Sequence, residues 1–381
     1  MRISGGGETR LQNVEHTEPD AMEEDSTPGT SSPAALVYTV QDRSILLKPY
    51  KKFLVEPLLP ILPRSLDPNA ITHAGHVIAL VALVISILAV DVDRGWPFFL
   101  VAFLVNLYNW CDNADGSHAR RVNRCSSLGE YLDHGLDLLS ATYVVCITVI
   151  TLGVPTFWSV AASVVVTATA AFTYWEQAET GKFQLDLLNQ IESIMALTVL
   201  LLIRGIWGTS VTATQIGPFP LHVYLLGFVF ANASMAVIKG FVRVAANKGN
   251  LAAFWAPALF GGTVLLTAAT GALSTVATIV VGSAVYVFHG IRQLTLRVNG
   301  RRPKAHHTRP VMAAALFLGA LVVYRLGGGV QTKMLDWVCA TVTCAFFGVT
   351  ALILGVEGHR TVARLDQAKL AKTTSQAPRR D

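Results

Sequence analysis

Four aspartates, Asp112, Asp115, Asp133 and Asp137, fall within CDNADGSHARRVNRCSSLGEYLDHGLD, residues 111–137. Two strongly apolar runs, WPFFLVAFLVNLYNW and LLSATYVVCITVITLGV, flank that stretch. Spacings of three and four place the members of each pair on one helix face, one turn apart. Two antiparallel helices joined by a short loop would then aim four carboxylates at a single point. Charges held that close oppose one another's ionisation, and two divalent cations balance them charge for charge. Carboxylate oxygens are hard ligands, which selects Mg²⁺ or Mn²⁺ over zinc. A pair of such ions about 4 Å apart clamps phosphate oxygens during displacement at phosphorus. A solvated helix cap accounts for any one of these aspartates, but not for all four with Gly116, Arg120 and Gly129 interleaved.

The elements that must carry them are read from composition. Of 381 residues, 52% are hydrophobic and only 14% charged, and the mean hydropathy is +0.47. That balance predicts an all-α, polytopic membrane protein rather than a soluble enzyme. Windows of about 20 apolar residues, enough to cross the hydrocarbon layer, occur near 70–90, 96–114, 133–153, 156–176, 187–207, 219–240, 251–270, 273–292, 310–328 and 335–355. With the N-terminus in the cytoplasm, only Arg94, Arg204, Arg325 and Lys333 of the 30 Lys and Arg fall on the far side. This predicts both termini, and the acidic stretch, on the cytoplasmic side. The net charge of +5 is spread over those loops, and no nucleic-acid partner is expected. The five cysteines form no CxxC pair and imply neither disulfides nor zinc.

Residues 1–41 are acidic in the middle and rich in Gly, Ser, Thr and Pro, and predict a disordered tail rather than a signal peptide. Residues 42–66 mix Leu, Ile and Phe with Lys and Arg and contain Pro49, Pro57, Pro60 and Pro63. They predict an N-terminal interfacial helix, kinked or ended by its prolines. The catalytic helices are expected over 67–240, additional transmembrane helices over 241–358, and a cytoplasmic tail over 359–381, with AKLAKTTSQAPRRD unstructured.

The pattern D-x2-D-G-x2-A-R-x8-G-x3-D-x3-D is filled at every fixed position, by Asp112, Asp115, Gly116, Ala119, Arg120, Gly129, Asp133 and Asp137. It resembles the signature of the CDP-alcohol phosphotransferase family, integral membrane enzymes of phospholipid synthesis. The wider string, with ARR, SLGE and DHG, is most similar to the choline/ethanolamine phosphotransferase branch. PNAIT (68–72) and WEQAETGKFQ (175–184) extend the likeness more weakly, and ten spans fit that branch. The resemblance implies that a diacylglycerol hydroxyl attacks the β-phosphorus of CDP-choline or CDP-ethanolamine, releasing CMP. It also suggests a homodimer. The membrane would be that of the endoplasmic reticulum or Golgi in a eukaryote, or the plasma membrane in a bacterium.

Roles follow for single residues. Asp112, Asp115 and Asp133 are expected to ligate two Mg²⁺ (or Mn²⁺) ions, with Asp137 completing the set. Arg120 would hold the diphosphate with its forked donors. Gly116 lets backbone and nucleotide approach closely, and Ala119 and Gly129 keep the helices tight. Asn69 either caps the first span or contacts the nucleotide. His134 matches the proton acceptor of the branch, and an imidazole suits that task near neutral pH. Glu192, a carboxylate near the start of an apolar span, is the other candidate base. Two further readings stand beside this one. The same chemistry on a polar acceptor would make a phosphoinositol, phosphoglycerol or phosphoserine transferase, and a ten-span transporter would show repeats of the 112–137 pattern, of which the sequence has none.

Overall fold

The structure, a computed structural model, describes residues 39–185 and 189–376. Residues 1–38 of the expected tail lie outside the described residues. Ten long helices succeed one another among the described residues: α1 (Pro68–Leu88), α2 (Trp96–Arg121), α3 (Ser127–Leu152), α4 (Thr156–Thr180), α5 (Gln190–Trp207), α6 (Leu221–Ala246), α7 (Ala252–Thr270), α8 (Thr275–Val298), α9 (Arg309–Leu326) and α10 (Lys333–Gln376). Nine of them are long and apolar enough to cross a membrane. The exception is α2, whose second half carries Asp112, Asp115, His118, Arg120 and Arg121. The protein is an all-α, multi-pass membrane protein, and leucines and valines such as Leu80, Val84, Leu88, Val342 and Leu352 stand exposed, as lipid-facing side chains do.

Two helix limits matter for the site. The apolar windows ended near 114 and resumed near 133, whereas α2 runs to Arg121 and α3 begins at Ser127. All four aspartates therefore sit within helices and not on a loop. Hydropathy marks where lipid contact stops, but backbone hydrogen bonding continues wherever neighbouring helices cover the polar turn. Local signals set the start of α3: Ser126 accepts from the amide of Gly129 at 3.0 Å, a standard N-cap. At α1 the cap is Asp67, which accepts from the Asn69 amide at 2.9 Å, so Asn69 is not the cap. Pro68 occupies the first turn, where its missing N–H costs nothing.

Ahead of α1, residues Leu47–Val55 form a short helix whose second half is π-helical, and Leu59–Ile61 form a 3₁₀ turn. Pro57 separates the two. Phe53, Leu54 and Ile61 are exposed while Tyr50, Val55 and Leu59 pack on Ala114 and Ile191, an amphipathic division that suits an interfacial segment. Trp110 Nε1 donates to the Leu54 carbonyl at 3.0 Å, and Arg121 donates to the carbonyls of Leu59 and Leu62. Two elements went unforeseen in the sequence. Strand β1 (Thr39–Asp42) pairs in parallel with β2 (Lys182–Leu185), and a two-residue hairpin joins Gln215–Ile216 to Phe219–Pro220. The C-terminal segment also departs from expectation, because α10 continues as helix to Gln376; its Ala, Lys, Leu and Gln are strong helix formers.

Packing divides into two main apolar clusters. One joins α1, α2, α3 and α5 through Ala79, Phe98, Val105, Tyr108, Ile147 and Leu197. The other joins α4 and α7 to α10 through Val160, Phe260, Val285, Phe288, Leu318 and Phe347. A buried ion pair ties α4 to α6: Arg243 Nε and Nη2 meet the two oxygens of Glu176 at 2.5 and 2.8 Å, with Glu176 only 3% exposed. The glycine at 240 permits it, since a Cβ there would lie 2.8 Å from Glu176 Oε2. Removing one member of a buried pair strands the other charge. Arg243→Ala is expected to destabilise the fold by about 3–5 kcal/mol, read as a lower detergent-unfolding midpoint, with partial recovery in Arg243→Ala/Glu176→Gln.

Candidate metal centre and substrate site

The site is built where α2 and α3, linked by residues 122–126, run antiparallel. Close approach of α1 to α2 sets their rotation: a Cβ on Gly75 would lie 2.9 Å from Cys111 Cβ. Within this frame one carboxylate oxygen each from Asp112, Asp133 and Asp137 lies within 4.8 Å of the others. Oδ1 of Asp133 and Oδ1 of Asp137 are buried without a hydrogen-bond partner. Buried anionic oxygens without donors are unfavourable unless a cation meets them. The donor set, all hard oxygens, fits a divalent cation of the Mg²⁺ or Mn²⁺ kind.

The fourth aspartate is held differently. Asp115, 6% exposed, accepts from Thr72 Oγ1 at 2.5 Å and does not belong to the three-residue group. Thr72 lies on α1 in the PNAIT stretch, so α1 positions one acid while α2 and α3 present the rest. Tyr108, 1% exposed, sits one turn before Asp112 on α2, and its hydroxyl accepts from Gln190 Nε2 at 2.9 Å. Sequence reasoning missed Thr72, Tyr108 and Gln190; none carries charge, and only the i, i−4 relation of Tyr108 to Asp112 hinted at a role. Lys51 opens the π-helical part of the interfacial segment. Burial, then the Arg120 guanidinium, hold its ammonium below the usual lysine range, while Asp42, Asp112 and Asp115 act in the opposite sense.

Among the other expected residues, Asn69 and Gly129 meet: a Cβ on Gly129 would fall 3.0 Å from Asn69 Oδ1. The absent side chain thus leaves Asn69 its place at the rim between α1 and α3. Gly116 faces Arg120, whose Nη1 would be 3.5 Å from an added Cβ. Arg120 is exposed, and its guanidinium donates to the hydroxyl of Ser117 at 3.2 Å. Ala119 is half-buried on the same turn. Arg121 and Arg124 instead hold carbonyls of residues 59–65.

His134 and Glu192 separate clearly. Residue 134 points about 100° around the helix from Asp133, toward α4 and α8. Its ring stacks on Phe183 at 4.8 Å and lines a small cavity with Glu130, Gln177 and Arg297. The Tyr174 hydroxyl donates to its carbonyl at 2.8 Å. Glu192 is engaged by three donors, the hydroxyl of Ser44 at 2.6 Å, the amide of Leu46 at 2.9 Å and the amide of Asn189 at 3.1 Å. It completes a capping box at the start of α5 and pins the segment before the interfacial helix. Glu192→Ala is expected to lower stability by about 1–2 kcal/mol, seen as a reduced melting temperature, with turnover of the folded fraction retained.

Fold and site together define a multi-pass helical membrane protein with a cluster of carboxylates, able to hold a metal ion, between two antiparallel helices. The sequence model of the CDP-alcohol phosphatidyltransferase family matches residues 66–244, and that stretch is a domain of this family. Cholinephosphotransferase 1 of Danio rerio is 28% identical over 210 residues, 51% of this chain and 54% of that protein. Choline/ethanolaminephosphotransferase 1 of Saccharomyces cerevisiae is 28% identical over 227 residues, 55% of this chain and 57% of its own length. Cholinephosphotransferase 1 of Gallus gallus is 34% identical over 200 residues, covering 48% and 58%. The chain thus spans little more than half the length of the curated relatives it matches.

Proposed function

We propose that the protein transfers phosphocholine or phosphoethanolamine from a CDP-alcohol to diacylglycerol, releasing CMP and forming a phospholipid. The observation that carries this reading is the convergence of Asp112, Asp133 and Asp137 within 4.8 Å, inside a domain whose relatives are named for that chemistry. Asp112, Asp133 and Asp137 would hold divalent cations, two Mg²⁺ or Mn²⁺ ions, with Asp115 closing the set from its hydrogen bond to Thr72. Bound there, such ions neutralise the diphosphate and stabilise charge at the transferring phosphorus. Arg120, exposed at the end of α2, grips the diphosphate with its fork. Asn69 and the bare backbone at Gly129 receive the cytidine nucleotide.

The attacking oxygen is a weak nucleophile until it loses its proton. An imidazole nitrogen of His134 accepts that proton as the bond from the hydroxyl oxygen to the β-phosphorus forms and the bond to CMP breaks. Glu192 is the less suited base, because its oxygens already serve three donors. The acyl chains stay in lipid while the hydroxyl reaches the acidic end of the bundle. The distribution of Lys and Arg over the loops supports the cytoplasmic face for that end, in the endoplasmic reticulum or Golgi of a eukaryote or the plasma membrane of a bacterium. A homodimer is part of this proposal. The test is a donor panel: purified protein, diacylglycerol and each CDP-alcohol in turn, with CMP measured. CMP release is expected with CDP-choline or CDP-ethanolamine, to vanish on chelation, and to return with Mg²⁺ or Mn²⁺ but not Ca²⁺. Release only when inositol, serine or a glycerol phosphate replaces diacylglycerol would move the protein to the polar-acceptor class.

A further inference from the structure

Helix α10 has 44 residues and is about 66 Å long at 1.5 Å per residue, roughly twice the hydrocarbon thickness. Counted from Lys333, the lipid-crossing part ends after about 20 residues, near Ile353. Beyond that level the helix continues past the acidic end of the bundle. Asp366 accepts there from Ser127 Oγ at 2.8 Å and from the Leu128 amide at 3.3 Å. Gly358 lets α10 press on Tyr131, whose phenol a Cβ would strike, and Val362 is fully buried on the same side. One face of α10 is therefore fixed against α3, two residues ahead of Asp133.

The adjacent face is open. With the end of α8 it forms a groove of about 630 Å³ lined by Asn299, Leu352, Ile353, Val356, Glu357, Arg360, Thr361 and Arg364. Its residues change character along the helix axis. Leu352, Ile353 and Val356 are exposed and apolar at the level where the hydrocarbon ends. Arg360 and Arg364 follow one and two turns further, both exposed, and neither pairs with another described residue. The floor is already satisfied: Thr361 Oγ1 donates to Asn299 Oδ1 at 2.9 Å, and Asn299 Nδ2 donates to Glu357 Oε1 at 3.4 Å. Glu357 offsets part of the positive charge, yet the two guanidinium groups leave the rim cationic. A groove of this volume is of ligand size.

We propose that this groove binds one anionic phospholipid, its phosphate between Arg360 and Arg364 and the start of an acyl chain against Leu352, Ile353 and Val356. The depth ordering selects a lipid over a soluble anion, because apolar contact and cationic contact lie one helical turn apart across the membrane boundary. The sign of the rim selects an anionic headgroup over a zwitterionic one. The inference is independent of the transfer reaction, since binding is read without turnover.

The test reconstitutes the full chain in nanodiscs of phosphatidylcholine with a minor share of phosphatidylglycerol, then counts lipids retained by the purified protein in native mass spectrometry. Wild type is expected to retain one phosphatidylglycerol with an enrichment of roughly 30-fold over its share, the effect of two basic residues at the surface. Arg360→Gln/Arg364→Gln should lose that lipid while keeping its melting temperature, and Val356→Glu should lose it as well. Arg301→Gln/Arg302→Gln, a basic pair outside the groove, should keep it. Equal retention of the two lipids by wild type would overturn the proposal, as would retention by the Arg360/Arg364 variant. Displacement by millimolar inorganic phosphate would equally overturn it, by showing an anion site with no use for the chain.

Discussion

Asp137→Asn is expected to abolish CMP release, by at least about 10³-fold, in protein that still inserts and folds. The argument rests on its surroundings. Asp137 Oδ1 is buried without a partner, and the carboxyls of Asp112 and Asp133 stand within 4.8 Å. In metal-free protein that arrangement is repulsive, so taking away one charge relieves the fold rather than harming it. Melting curves should therefore separate the two states of the site. With chelator present, Asp137→Asn should melt at or above the wild-type temperature. With Mg²⁺ added, wild type should rise by ligand linkage and the variant should not. A fully active Asp137→Asn, or a wild type blind to added metal, would remove the cation model.

His134→Phe should lower turnover by about 10²–10⁴-fold, the usual worth of a positioned acid–base group, with binding of the CDP-alcohol retained. Phenylalanine is chosen because the imidazole stacks on Phe183 at 4.8 Å and sits beside Tyr174; a ring of similar size keeps that packing and removes the proton acceptor. His134→Ala should show the same loss plus a stability defect from the vacated volume. If turnover is unchanged in both variants and collapses in Glu192→Ala, the proton goes to Glu192 and the capping role assigned to it is incomplete.

The gaps in sequence reading share a physical origin. Asp112 and Asp115 are one turn apart on α2, and the spacing alone made them equivalent. In the fold, Thr72 on α1 takes Asp115 while Asp112 turns to α3. Thr72 is 43 positions away, and its hydroxyl carries no pattern that hydropathy detects. At Glu192 the sequence holds a second, local signal: Asn189 and Glu192 have the spacing of a capping box, which the hydropathy of the span does not report. The pairing of β1 with β2 joins segments more than a hundred residues apart, and four-residue strands are too short to show alternation. The extra turns of α2 and α3 were hidden because a window on hydrophobicity reports contact with lipid, and their polar faces contact one another.

By itself the amino-acid order determined that the chain is helical, that it crosses a membrane many times, and that its costliest charges are gathered in residues 112–137. Those properties are local: a helix is closed by hydrogen bonds four residues apart, and burial of charge is unfavourable wherever it occurs. Only the tertiary structure decided which three of the four carboxyls converge, and that His134 turns to Phe183 while Glu192 serves as a cap. Helix rotation and crossing decide such matters, and they are fixed by close approaches such as Gly75 to Cys111 and Gly129 to Asn69, between segments that the sequence keeps far apart.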